Sequence, residues 1–230
     1  MKIAPQKISK LFYNKWPYKV ECVIDGASRI KIYGAVRTAH WCNTNELGMI
    51  KRWGYGSKEI DKHALLKFLD AVTPFLDIPE DVKIRAEGEH FNLFCKDAAL
   101  LIQICDILAE WIVTIHKPGS DAELAFIMNN GHQKRVCNTY PKEKYQYRIY
   151  LKNTVVPAFG IQFLDWAAKY GEAISVSNST IRWLNGTTRW TQAPFMYVAG
   201  APMLTMVSLY LGSNIKVIEE FILRDSINTI

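Results

Sequence analysis

The sequence predicts an α+β protein built as a tandem duplication of one βαββαβ unit, with antiparallel sheets and helices on one face of each. Three observations predict it. Phe68-Leu69-Asp70 and Phe163-Leu164-Asp165 repeat one triplet, each inside helical spacing (Leu65, Phe68, Leu69, Val72 and Phe159, Phe163, Leu164, Ala167). Each helix follows a strand-like run and precedes strand, strand, helix, strand. Finally, Phe91 to Phe94 with helix 98–109 matches Phe195 to Val198 with helix 202–211 at an offset of 104, against 95 for the triplets. The second half therefore holds about nine more residues between its first helix and third strand.

The elements follow in order. Residues 1–16 read as a basic arm with a short strand at Leu11-Phe12-Tyr13. Tyr18 to Ile24 alternates, Tyr18, Val20, Cys22 and Ile24 on one face, and ends at Asp25-Gly26. Arg29 to Tyr33 is a second short strand, and 34–58 is a turn-rich insertion without counterpart in the second half. A helix from Lys58 to Val72 is stopped by Pro74. Val82 to Ala86 and Glu89 to Phe94 form a hairpin turning at Glu87-Gly88, Asp97 caps a helix from Ala98 to Ala109, and Trp111 to Ile115 is a strand. Residues 117–143 link the halves and hold a short helix, Asp121 to Met128, and the polar run Asn129 to Arg135. The second unit opens with Tyr145 to Leu151. Helix Val156 to Lys169 follows, with Gly171 as its C′ residue. Strands Ile174 to Ser177 and Thr180 to Leu184, a turn at Asn185-Gly186, strand Phe195 to Val198, helix Ala201 to Leu211 capped by Gly212, and strand Ile215 to Leu223 complete it. The expected domains are 1–116, the linker 117–143, and 144–230.

Two such βαββαβ, or ferredoxin-like, units in tandem resemble in topology the paired domains of the repeat-associated RNA-processing proteins of CRISPR systems. The glycine-rich loop those proteins carry near the C-terminus has only Gly212-Ser213 as its nearest equivalent here, which reads as a helix cap. The resemblance therefore stops at topology.

At 230 residues, 49% hydrophobic and 12% aromatic, the chain can bury a packed core in each half. Net charge is +6, unevenly placed. Residues 1–60 carry eleven Lys/Arg against four Asp/Glu, residues 61–130 are acidic, and 131–152 carry six basic residues against one acidic. Segregated positive charge points to a polyanionic partner. Five well-separated cysteines, three of them in apolar runs, read as free thiols in a reducing compartment. No apolar segment follows Met1, so no signal peptide is expected, the location is expected to be cytoplasmic, and Asn178-Ser179-Thr180 and Asn185-Gly186-Thr187 read as chance glycosylation patterns. The uncharged stretch between Arg189 and Lys216 is punctuated by Pro194, Gly200, Pro202 and Gly212, which suits strand, turn and helix better than a membrane span.

Basic residues beside aromatics carry the functional expectation. Lys51-Arg52-Trp53 with Tyr55 and Lys58 lies in the insertion, and Arg182-Trp183 and Arg189-Trp190 flank the Asn185-Gly186 turn. A base stacks on an indole while a neighbouring cation holds the phosphate. In the strand 144–152, Tyr145, Tyr147, Ile149 and Leu151 read as core, leaving Lys144, Gln146, Arg148, Tyr150 and Lys152 on the sheet face away from the helices. Lys134 and Arg135 beside His132 form a third basic group, in which His132 would be a general acid or base at a phosphodiester. His40, Cys42, His132 and Cys137 match no zinc spacing, and no nucleotide-binding or hydrolase motif occurs, so no metal or cofactor is expected. The leading expectation is a non-enzymatic RNA- or single-stranded-DNA-binding protein. A structural, assembly or adaptor protein, such as a viral or phage particle subunit interfacing through Met196 to Tyr210, is the alternative. A metal-independent ribonuclease centred on His132 is the third.

Overall fold

A computed structural model describes residues 3–44, 49–52, 56–131, 133–154, 157–189 and 191–227, with backbone only at 49–52, 56–59 and 157. The chain divides into two units, Met1–Gly119 and Ser120–Ile230.

The first unit contains β1 (Gln6–Lys7), β2 (Tyr18–Val23), α1 (Ala27–Thr44), β3 (Met49–Arg52), β4 (Gly56–Glu59), α2 (Lys62–Leu76), β5 (Val82–Glu87), β6 (His90–Cys95), α3 (Ala98–Ile107) and β7 (Ile112–Lys117). Its five-stranded sheet runs β1-β7-β2-β6-β5, with β3 and β4 as a separate hairpin. The second unit contains α4 (Asp121–Asn130), β8 (Lys134–Cys137), a short 3₁₀ turn Pro141–Glu143, β9 (Tyr147–Leu151), α5 (Pro157–Ala168), β10 (Ile174–Val176), α6 (Asn178–Leu184), β11 (Phe195–Val198), α7 (Ala201–Leu211), β12 (Ile215–Leu223) and α8 (Arg224–Ile227). Its sheet runs β10-β11-β9-β12-β8. The duplication predicted from the sequence is present. In each unit the first strand lies between the third and fourth, and helices pack on one face.

Each unit also carries a strand the sequence did not announce. β1 lies parallel to β7, and β8 lies parallel to β12, so both sheets are mixed rather than antiparallel. Both extra strands are short, basic and at a sheet edge, where Lys discourages further pairing. The arm's strand is thus at Gln6–Lys7 and not at Leu11–Tyr13, where only an isolated bridge joins Phe12 to Trp16. The segment 120–143, expected as linker, supplies α4 and β8 to the second unit.

Two expected strands are helices. Arg29 to Tyr33 belongs to α1, which bends at Gly34 (φ 79°) and buries Ala27, Ile30, Thr38 and Cys42. Thr180 to Leu184 belongs to α6, capped by Ser177 through its hydroxyl to the Thr180 amide. Helix α2 starts later than expected because Asp61 is its cap (2.9 Å to the Ala64 amide), and it runs through Pro74 to Leu76. Pro74 lies in its last turn, where it withholds the amide that would donate to the Asp70 carbonyl without ending the helix. Asp97 caps α3 as expected, accepting from the Leu100 amide at 2.7 Å. Gly171 is not left-handed, whereas Gly212 is (φ 50°).

Phe68 and Phe163 are fully buried, while Asp70 and Asp165 point to solvent, so the repeated triplet marks core. The first core joins Val20, Cys22, Leu65, Phe68, Phe91 and Leu93, and the second joins Ile149, Phe163, Trp183, Met196 and Val207. All five cysteines are free, and burial above all pushes the Cys22 and Cys95 thiols up to about 12. In the native protein at pH 8, Cys105 and Cys137 should react with a soluble aromatic disulfide well before the buried Cys22, Cys42 and Cys95, and fast release of all five thiols would contradict this packing. A methyl group at Gly160 on α5 would lie 2.5 Å from the Leu184 carbonyl oxygen of α6, whereas one at Gly171 meets nothing nearer than 3.7 Å. Gly160→Ala should therefore cost about 1–3 kcal/mol in denaturant unfolding, with Gly171→Ala near neutral.

Candidate nucleic-acid interface

Strand alternation sets what each sheet shows on the side away from its helices. In the second unit β9 turns Ile149 and Leu151 to the core, and Arg148 and Tyr150 to the open face. β11 does the same with Met196 and Val198 inward, leaving Phe195 and Tyr197 outward. β12 adds Glu219 and Phe221, and β8 adds Arg135. Cross-strand register puts Tyr197, Arg148 and Glu219 in one row across three strands, and Phe195 beside Tyr150.

Arg148 is the centre of this face. Its Nε donates to Glu219 Oε2 at 2.9 Å, its Nη2 reaches the same oxygen, and its guanidinium lies 5.0 Å from the Tyr150 ring, 5.7 Å from Phe195 and 5.5 Å from Phe221. Arg135 approaches the same carboxylate at 3.8 Å. Glu219 is only 2% exposed. Burial alone would lower the Arg148 pKa, but the hydrogen bond and charge of Glu219 outweigh it and hold it above its usual value. Burial raises the Tyr150 phenol, partly offset by Arg148, so this ring stays neutral. Tyr145 stacks on Tyr197 (5.9 Å, 24°), which stands edge-on to Phe195. Tyr150, Phe195 and Tyr197 remain partly exposed.

The expected site residues divide accordingly. Arg148, Tyr150 and Arg135 are brought together. Tyr145, expected in the core, is buried on the open face, because the chain before Tyr147 is not yet strand and the alternation does not reach it. Lys134 pairs with Glu220 at 3.7 Å and Lys144 with Glu172 at 2.9 Å, so part of the positive charge in 131–152 is neutralised internally. Lys152 is exposed just after β9. Arg182 and Arg189 are exposed, but Trp183 is 8% exposed and packs in the core, since α6 rather than a strand turns it inward. Lys51 and Arg52 lie on β3 and Lys58 on β4. Trp53, Tyr55, His132 and Trp190 lie outside the described residues. Among the described residues no three His, Cys, Asp or Glu gather as metal ligands, and no helix is long and apolar enough to cross a membrane.

Phe195, Tyr197, Glu219 and Phe221 were not anticipated. The alternation Phe195-Met196-Tyr197-Val198 was legible, but which face stays free depends on topology. A second missed signal is the repeat Lys15-Trp16-Pro17-Tyr18-Lys19-Val20 and Lys144-Tyr145-Gln146-Tyr147-Arg148-Ile149. Structure matches these position for position. Each is preceded by two left-handed residues (Tyr13 φ 50° and Asn14 φ 59°; Lys142 φ 50° and Glu143 φ 62°). The Trp16 amide donates to the Phe12 carbonyl at 3.0 Å as the Tyr145 amide does to Pro141 at 3.1 Å. Lys15 lies over the Trp16 ring at 4.6 Å as Lys144 lies over Tyr145 at 5.4 Å.

In the first unit the corresponding row is Phe94, Lys19 and His116. The arm occupies it: Phe12 packs on Phe94 (5.4 Å) and His116 (5.7 Å), and Tyr13 stands edge-on to Phe94 (5.0 Å). No family model, curated protein or solved structure matches the chain.

Removing Arg148 leaves Glu219 buried with a weaker partner. Arg148→Met should cost about 3 kcal/mol of the second unit's unfolding free energy, and the Arg148→Met/Glu219→Met double variant should recover part of it. Strictly additive losses in denaturant unfolding would show that the pair is not coupled.

Proposed function

We propose that the chain binds single-stranded nucleic acid, RNA or DNA, on the open sheet face of its second unit. One observation carries this reading: three partly exposed rings, Tyr150, Phe195 and Tyr197, stand on the adjacent inner strands β9 and β11 around a permanently charged guanidinium. A sheet of this topology offers bases a stacking platform on those two strands, and the face away from the helices is wide enough for successive unpaired bases. Stacking tolerates any base, so the expected preference is for single strands rather than for sequence. Lys152 and Lys142 beside the face, and Arg182 and Arg189 elsewhere on the unit, supply cations for the phosphates.

The ion pairs temper the electrostatic share. Arg148 is already neutralised by Glu219, so its role is planar stacking and orientation of the rings more than phosphate binding. The salt dependence should accordingly be real but shallow, reflecting the few cations without carboxylate partners.

Fluorescence anisotropy with a labelled single-stranded oligonucleotide at two salt concentrations tests this. Tyr150→Ala and Tyr197→Ala should each weaken binding by about 5- to 150-fold, the equivalent of about 1–3 kcal/mol per stacked base. Absence of binding at low salt, or full affinity in both variants, contradicts the reading.

An assembly role has its own observation. Leu209 is 80% exposed and Met206 39% exposed on α7, within the stretch expected to form an interface. If that face assembles copies of the chain, light scattering should show a concentration-dependent oligomer that Leu209→Glu dissolves.

A further inference from the structure

The first unit carries a cleft of about 440 Å³ that the sheet-face reading does not use. Tyr13, Lys15 and Trp16 of the turn before β2 form one wall, and Pro79 with Val82, Lys83 and Ile84 of β5 the other. β5 is the last strand of its sheet, so the cleft lies along a strand flank that no other strand pairs among the described residues.

Its chemistry is two ammonium groups over aromatic rings. Lys15 Nζ lies 4.6 Å from the Trp16 centroid and Lys83 Nζ 4.5 Å from that of Tyr13. Neither lysine has a carboxylate partner among the described residues, and no carboxylate lines the cleft. Tyr13 is 44% exposed but fixed: its hydroxyl accepts from Arg85 Nη1 at 2.9 Å, and its ring is held by Phe94.

The second unit shows the same turn with its polar groups satisfied. There Lys144, at the position of Lys15, pairs with Glu172 at 2.9 Å. Lys142 and Ser175, at the positions of Tyr13 and Lys83, are joined by a hydrogen bond from Lys142 Nζ to Ser175 Oγ at 2.7 Å. In the first unit Glu80 stands at the position of Glu172 but makes no ion pair with Lys15 among the described residues, an aromatic ring replaces Lys142, and Lys83 replaces Ser175. The result is a cleft with a rigid ring and two cations that nothing in its lining neutralises.

We propose that this cleft binds a nucleoside monophosphate, free or as the phosphorylated end of a strand, with the base on the Tyr13 ring against Pro79 and the phosphate between Lys15 and Lys83. The size suits one nucleotide. Both ammonium groups lie over rings and make no ion pair among the described residues, so a phosphate would not have to break an existing pair. This deepens the nucleic-acid reading but depends on first-unit residues alone.

Titration calorimetry of the full chain with AMP, adenosine and inorganic phosphate tests it. AMP should bind saturably with Kd below about 1 mM and at least about tenfold tighter than adenosine or phosphate alone. The Lys15→Ala/Lys83→Ala variant, altered only at exposed side chains, should lose at least about tenfold in AMP affinity with its melting temperature retained. Tyr150→Ala in the second unit should leave AMP binding unchanged. No saturable AMP binding, equal binding of phosphate alone, or AMP binding that survives the lysine changes would overturn the proposal. AMP binding retained while oligonucleotide binding fails would uphold the cleft and reject the sheet-face reading. 5′-phosphorylated and 5′-hydroxyl oligonucleotides separate the two sources: a tighter grip on the phosphorylated strand identifies a strand end, and equal affinity with AMP still bound identifies the free nucleotide.

Discussion

A carboxylate buried on a sheet face that no helix covers constrains everything around it. Glu219 is nearly sealed from solvent, and a bare charge there would cost several kcal/mol. Arg148 answers it with two donors to one oxygen, and Arg135 approaches from the edge strand. The guanidinium is in turn packed by Tyr150, Phe195 and Phe221. Arg148, Glu219 and Arg135 together therefore tie β9, β12 and β8, and the Arg148 guanidinium holds the rings around it. What it gives up is free positive charge at the centre of the face. Preorganised rings with a neutralised centre favour stacking over simple charge attraction, which is why the function is read from the aromatics and not from the net charge.

The duplication explains where the two units differ. The position gap between equivalent residues is 129 at the strands opening each βαββαβ unit (Tyr18 and Tyr147), 95 at the buried phenylalanines of α2 and α5, and 103 at the starts of α3 and α7. The first change is the insertion of α1 and the β3–β4 hairpin into the first unit. The second is α6 in the second. A gap of 104 between β6 and β11 would have set Phe94 against Val198, one on the open face and the other in the core, and a one-residue slip of that kind reverses every side chain of a strand. On the open faces the two units use one plan differently: the first is occupied by the chain's own Phe12 and Tyr13, the second presents its rings.

The repeated plan, the caps at Asp97 and Gly212, and the elements β11, α7 and β12 were legible because period, propensity and punctuation agreed there. Disagreement hid the rest. α1 is divided by a left-handed glycine, so neither half shows a sustained apolar stripe. α6 is short, and its adjacent β-branched Thr180 and Ile181 favour strand until Ser177 is recognised as a cap. β1 and β8 are polar edge strands whose pairing depends on distant partners. Of the site, Arg148, Tyr150 and Arg135 could be read as outward residues of basic segments. Phe195, Tyr197 and Phe221 could not, because apolar rings on a strand look like core until the sheet order shows which face is free.

Photo-crosslinking an oligonucleotide bearing 4-thiouridine to the full chain, followed by peptide mapping, addresses the central claim directly. Crosslinks should fall on the peptides containing Tyr150 and Phe195 to Tyr197. Crosslinks confined to helical surfaces, or absent from β9 and β11 while binding is intact, would contradict it.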